Sequence, residues 1–175
     1  MGMPRPTGEY AEQMLEPGGW PGADEIVFYD RAQEFTRILA GVTDVLDACR
    51  QQQSTIFDGA WSGGAARAAD GELGSRIDYL RSLAEDIARV VDWHDQVAIA
   101  IEQAKIRVGD NVELAGRQIT LLRNDPTLDT QERSTAINAV LLATHTANVG
   151  VVAGTAGQIL ATGAWQPPRN PLPDS

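Results

Sequence analysis

From Leu73 to Leu122 apolar residues recur every three or four positions without losing register: Leu73, Ile77, Leu80, Ala84, Ile87, Val91, His94, Ala98 and Ile101, then Val108, Val112, Ala115, Ile119 and Leu122. A repeat averaging 3.5 residues marks a helix packed lengthwise against other helices, and it is incompatible with the two-residue period of a half-buried strand. His94 and Lys105 are the breaks in apolarity along this stripe. Gly109 and Gly116 each weaken the far half by up to about 1 kcal/mol, so a bend is expected there. A continuous helix from about 64 to 123 would be roughly 90 Å long. Everything else in the chain has to pack along it.

A second stripe precedes it. Phe28, Ala32, Phe35, Leu39, Val42, Leu46 and Cys49 alternate spacings of four and three, and Ile56 continues the series beyond Gln53. With Asp24 as its N-cap, this predicts a helix over about 24–57, roughly 50 Å long. Between the two stripes lies Phe57-Asp58-Gly59-Ala60-Trp61-Ser62-Gly63-Gly64, where three glycines in six residues permit a sharp reversal and Trp61 supplies an aromatic at the bend. Beside the long stripe runs a further apolar row of Leu83, Val90 and Val97, which makes the face wider than one partner helix covers.

Pro126 ends the long helix, and Asp129 caps a third over about 130–162. The middle of that helix, Ala143 to Gly157, is rich in Ala, Gly and Thr, side chains that let helix backbones approach closely. Residues 1–22 hold four prolines and a Gly-Gly pair, leaving room for one short helix over 9–15 capped by Thr7, with Trp20 pinning the arm to the body. Residues 166–175 read as the start of a proline-rich linker of a longer protein. The predicted fold is all-α: an N-terminal arm (1–22), an elongated antiparallel helical bundle (23–165) with a Trp-x-Gly turn, and the linker. From helix lengths this is a rod of roughly 100 Å with Trp20, Trp93 and Trp165 in its middle region.

Composition narrows the function. The 175 residues carry a formal charge of -10 and a pI near 4.5. No Lys/Arg cluster is present, which argues against nucleic acid or anionic lipid as a partner. No apolar run approaches a membrane span, so direct membrane insertion is not expected, and the N-terminus lacks the apolar region of a cleaved signal. One cysteine, Cys49, allows no internal disulfide and sits on an apolar stripe. The two histidines, His94 and His145, lie on different helices without zinc-ligand spacing. Asp92-Trp93-His94-Asp95 sets acids beside an imidazole, but sequence neighbours on a helix point apart and no nucleophile accompanies them. The glycine-rich turn lacks the Lys-Ser/Thr of a phosphate loop. No catalytic residue, cofactor or metal is therefore expected.

A Trp-x-Gly turn (Trp61-Ser62-Gly63) between two long helices, in an acidic helical chain without a cleaved signal, resembles the WXG/PPE-type proteins of mycobacterial type VII (ESX) secretion. The resemblance extends over Arg5-Pro6-Thr7-Gly8, Pro17-Gly18-Gly19-Trp20, Phe28-Tyr29-Asp30-Arg31-Ala32, Val42-Thr43-Asp44-Val45-Leu46 and Thr135-Ala136-Ile137-Asn138 to the N-terminal domain of an ESX secretion-associated family, and covers nearly the whole chain. It implies a cytoplasmic, chaperone-like adaptor that binds a helical secretion substrate of the EspB type and brings it to the cytosolic ESX ATPase. The alternative is a secreted, self-assembling structural protein resembling EspB. Substrates of this system carry Tyr-x-x-x-Asp/Glu, whereas here Tyr10, Tyr29 and Tyr79 are followed four residues later by Met14, Gln33 and Leu83. Export, if it occurs, is then expected to depend on a partner. The expected partner surface combines Trp61, Ser62 and Gly63 with Leu83, Val90 and Val97.

Overall fold

Four helices account for 84% of the residues described by the computed structural model, which are 2–55 and 63–162, and no strand occurs among them. In order they are α1 (Ala11–Leu15), α2 (Glu25–Thr55), α3 (Gly64–Asn124) and α4 (Thr130–Thr162). The all-α helical bundle read from the stripes is the observed fold. Trp61, Ser62, Trp165 and the proline-rich segment lie outside the described residues, and with them the expected Trp-x-Gly turn and the expected gathering of three tryptophans.

Local chemistry explains the helix ends. Asp24 accepts the Ile26 N–H at 3.0 Å, as an N-cap should. Gly63 has φ 113°, which a residue with a β-carbon adopts only under strain, and its carbonyl accepts the Arg67 N–H in the first turn of α3. Despite Gly109 and Gly116, α3 is one helix of 61 residues. It stops at a turn in which Asp125 accepts both the N–H and the hydroxyl of Thr127. Asp129 then accepts the Glu132 N–H at 2.8 Å while Glu132 accepts the Asp129 N–H at 3.0 Å, a reciprocal capping box. Arg133 binds the carbonyls of Leu122, Asp125 and Leu128, so three orphan acceptors of this corner share one guanidinium.

The chain forms two compact units, residues 2–28 with 96–162 and residues 29–55 with 63–95, and α2 and α3 contribute to both. The core of the first unit joins Ala11, Met14 and Leu15 of α1 to Val108, Val112, Ala115 and Ile119 of α3 and Leu141 of α4, with Trp20 packed at its edge. Residues 2–22, expected as an arm held by Trp20, thus supply core side chains of their own. Thr7 does not cap α1. The helix starts at Ala11, with Tyr10 at its N-cap and no side-chain cap bond, and the Gly8 carbonyl accepts the Ala11 N–H. Gly19 closes the arm where a β-carbon would come within 3.0 Å of the Met14 and Leu15 carbonyls.

Two polar clusters run through this core. Asn148, fully buried, donates to the Met14 carbonyl at 3.0 Å and accepts from Asn111 at 2.9 Å, tying α1, α3 and α4 together. Glu25 and Lys105, 2% and 5% exposed, form an ion pair at 2.6 Å; Glu25 also accepts the Met3 N–H, and Lys105 lies 5.8 Å from the centre of the Trp20 ring. Burial pushes the Glu25 carboxyl up, but hydrogen bonds from Lys105 and Met3 outweigh it and hold the group below its ordinary value. A depressed folded-state pKa gives stability that is present above the unfolded value and lost as pH falls through the folded one. Unfolding free energy should therefore stay level from neutrality to about pH 5 and fall on further acidification. Urea titrations at stepped pH check this, and the fall should be shallower in Glu25→Gln.

The apolar face of α4 departs from expectation. By length and composition α4 is long and apolar enough to cross a membrane, with a mean hydropathy of 1.4 over an 18-residue window that is 11% buried. The expectation that no segment reaches that threshold is corrected: Ala, Gly and Thr interleaved with Val and Leu keep hydropathy high without a continuous run of large apolar residues. Nor, among the described residues, do its glycines at 150, 154 and 157 seat a neighbouring helix. Space is open around Gly150, Gly154 and Gly157.

Candidate interaction surface

In the second unit α2 and α3 form a hairpin whose register can be read from its contacts. Gln53 bonds to Asp70 at 3.0 Å, Leu46 and Cys49 cluster with Ile77, and the Phe35 ring lies 5.4 Å from His94. Each step up α2 is matched by a step down α3, so the pair is antiparallel. Ala32, Leu39 and Leu46 alternate with Phe35, Val42 and Cys49 on the α2 seam, and Ile77, Ala84 and Val91 alternate with Leu80, Ile87 and His94 on α3.

Ile38 and Val45 each precede a seam residue of α2, and Leu83 and Val90 precede the equivalent residues of α3. Antiparallel helices carry such positions on the same side of their seam. The register sets Ile38 opposite Val90 and Val45 opposite Leu83, two apolar pairs seven residues apart. Ile38 and Val45 are 51% and 52% exposed, Leu83 and Val90 are half-buried, and a β-carbon at Gly41 between them would enter open space. Val97, expected in the same row, is 2% exposed and belongs to the first unit, so its side chain is already taken up inside the chain. Ile38 and Val45 did not enter the expected surface, although their spacing from Leu39 and Leu46 carries the same signal. Gly63 is exposed.

Among the described residues no converging catalytic set accompanies these side chains. His94 is half-buried on the seam, its Nδ1 2.8 Å from the Val90 carbonyl and its ring edge-on to Trp93 at 4.8 Å. Cys49 is buried beside Ile77. In the first unit an open groove lies between residues 6–14 and α3 from Gly109 to Arg123, but its charged walls pair among themselves, Arg123 with Glu9 and Tyr10, and Arg117 with Glu113 at 2.9 Å. His145 sits against the Pro17 carbonyl at 3.0 Å. Among the described residues no group of His, Cys, Asp and Glu is placed to hold a metal ion.

Across its length the sequence is 55% identical to a curated protein, over 175 residues and 99% of this chain: the ESX-1 secretion-associated protein EspK of Mycobacterium tuberculosis (strain CDC 1551 / Oshkosh). The chain is similar to EspK. It spans 24% of the length of EspK, so the likeness concerns one part of that longer protein. No family model matches the chain, and no solved structure matches it. The resemblance to EspK agrees with the reading of an ESX secretion-associated N-terminal helical domain, and it adds no ligand or partner to the surface described above.

Proposed function

We propose that the chain is a non-enzymatic adaptor of type VII secretion, chaperone-like in action, which captures a helical substrate of the EspB type and links it to the cytosolic ESX ATPase. The similarity to EspK, a secretion-associated protein, supports the pathway. The observation that carries the binding mode is the open side of the α2/α3 hairpin: Ile38 with Val90 and Val45 with Leu83 present apolar side chains at the spacing a helix would meet every two turns. The proposal adds Trp61, Ser62 and Gly63 to this surface. Recognition of this kind takes place in the cytoplasm, and any export follows a partner that carries the signal.

The test is substrate capture. Val45→Glu with Leu83→Glu should weaken binding of an EspB-like substrate at least about tenfold, since each charge would have to be desolvated against an apolar helix. Circular dichroism should show helicity unchanged, because neither side chain is fully buried. Unaltered capture would sink the proposed surface. Trp61→Ala should likewise weaken capture in a folded chain; if that variant is unfolded, Trp61 has a structural role and drops out of the surface.

A further inference from the structure

The buried and bare sides of α4 lie opposite each other. Leu141 and Asn148 are buried, with Ile137, Val140 and Val151 against the first unit's core. On the far side Leu142, Thr146, Val149, Ala153, Ala156 and Leu160 recur at alternating spacings of four and three, the period of a helix-pairing seam. Leu142 and Leu160 are 68% and 79% exposed, Val149 is half-buried, and the other three are exposed. No Asp, Glu, Lys or Arg occurs on α4 after Arg133. An outer helix of a soluble bundle ordinarily turns charge to water on this face.

We propose that this face docks a second copy of the chain, α4 against α4, antiparallel about a twofold axis near Val151. Such an axis requires the surface to complement itself, each residue meeting the one equally far beyond the midpoint. The seam satisfies this in order. Leu142 meets Leu160 of the second copy, Thr146 meets Ala156, and Val149 meets Ala153, so mid-sized side chains oppose small ones and leucines close both ends. Gly150 and Gly157, flanking the seam with open space above them, let the two backbones approach. Charge does not oppose this contact. Two chains of net charge -10 repel one another, and this helix face brings no like charges together. A partner chosen by charge would find nothing on it to read. An isologous contact is complete at two copies, so the product is a closed dimer and not an open-ended assembly.

The register is tested by disulfide trapping of the 175-residue chain in a Cys49→Ser background. Val149→Cys and Ala153→Cys should each remain uncrosslinked alone, because like positions lie too far apart along the axis, and should crosslink when mixed. Sedimentation over about a hundredfold range of concentration should show a monomer–dimer equilibrium. Leu142→Glu with Leu160→Glu should weaken it at least about tenfold without loss of helicity. A monomer throughout that range overturns the proposal, as it would if α4 served a lipid surface or a different chain. Equal crosslinking within each single variant, or growth beyond dimers, overturns it too.

Discussion

Lys105→Ala is expected to cost the first unit about 3–5 kcal/mol, because it leaves the Glu25 carboxylate buried without its counter-ion. The geometry makes escape difficult. Glu25 is 2% exposed and sits in the first turn of α2, and its other stabilising contacts are the Met3 N–H and its own backbone N–H, which cannot neutralise a full charge. The loss should appear in urea unfolding followed by tryptophan fluorescence, since Trp20 lies over the lysine ammonium. Replacing both partners, Glu25→Leu with Lys105→Met, should recover most of the loss, because well-packed apolar groups avoid the desolvation penalty that the pair carries. If the double variant is as unstable as Lys105→Ala, the ion pair does more than balance charge. A near-neutral Lys105→Ala would mean that water reaches Glu25 freely.

Leu15→Ala is expected to cost about 2–5 kcal/mol, the range for emptying a fully buried leucine site. Leu15 is 0% exposed and is the last residue of a five-residue helix. So short a helix has no stability of its own and exists only through what it packs on. The arm should therefore loosen before α3 and α4 do, and limited proteolysis should cut within residues 2–24 while the long helices survive. Leu121→Ala, at a site 72% exposed, is the matched control and should change stability by less than about 0.5 kcal/mol. Equal losses at the two sites would contradict the core assignment.

The long helices were legible because their apolar stripes run for many turns and their ends carry specific chemistry. Asp24 and Asp129 behave as the caps their positions suggested, and the turn at Pro126 falls where proline requires one. What could not be read is what joins residues distant in sequence. Lys105 looked like a flaw in the long stripe, yet its partner Glu25 stands 80 positions earlier, in the first turn of another helix. Met14 and Leu15, in a stretch dominated by proline and glycine, gave no periodicity long enough to announce core residues. Val97 continued a surface row by spacing alone, and only the packing of the first unit shows that it is covered. On α4, small residues were read as permitting close approach, and space around Gly150, Gly154 and Gly157 is open; composition does not say whether an approaching helix would belong to the same molecule. As for the interaction surface, Leu83 and Val90 were visible from one helix. Their opposite numbers, Ile38 and Val45, needed the register of the hairpin.

The bond from Asn148 to the Met14 carbonyl spans 134 positions. At synthesis rates of about 5–20 residues per second, Met14 is made on the order of ten seconds before its anchor exists. For most of that interval Met14 and Leu15 have no core to enter, because the α3 residues that cover them begin only at Val108 and Leu141 of α4 follows later still. The corner closed by Arg133 needs only neighbours and can form as soon as α4 begins. The earliest residues of the first unit thus wait longest for their place, and a nascent chain halted before Val108 would still show them to whatever binds apolar segments in the cell.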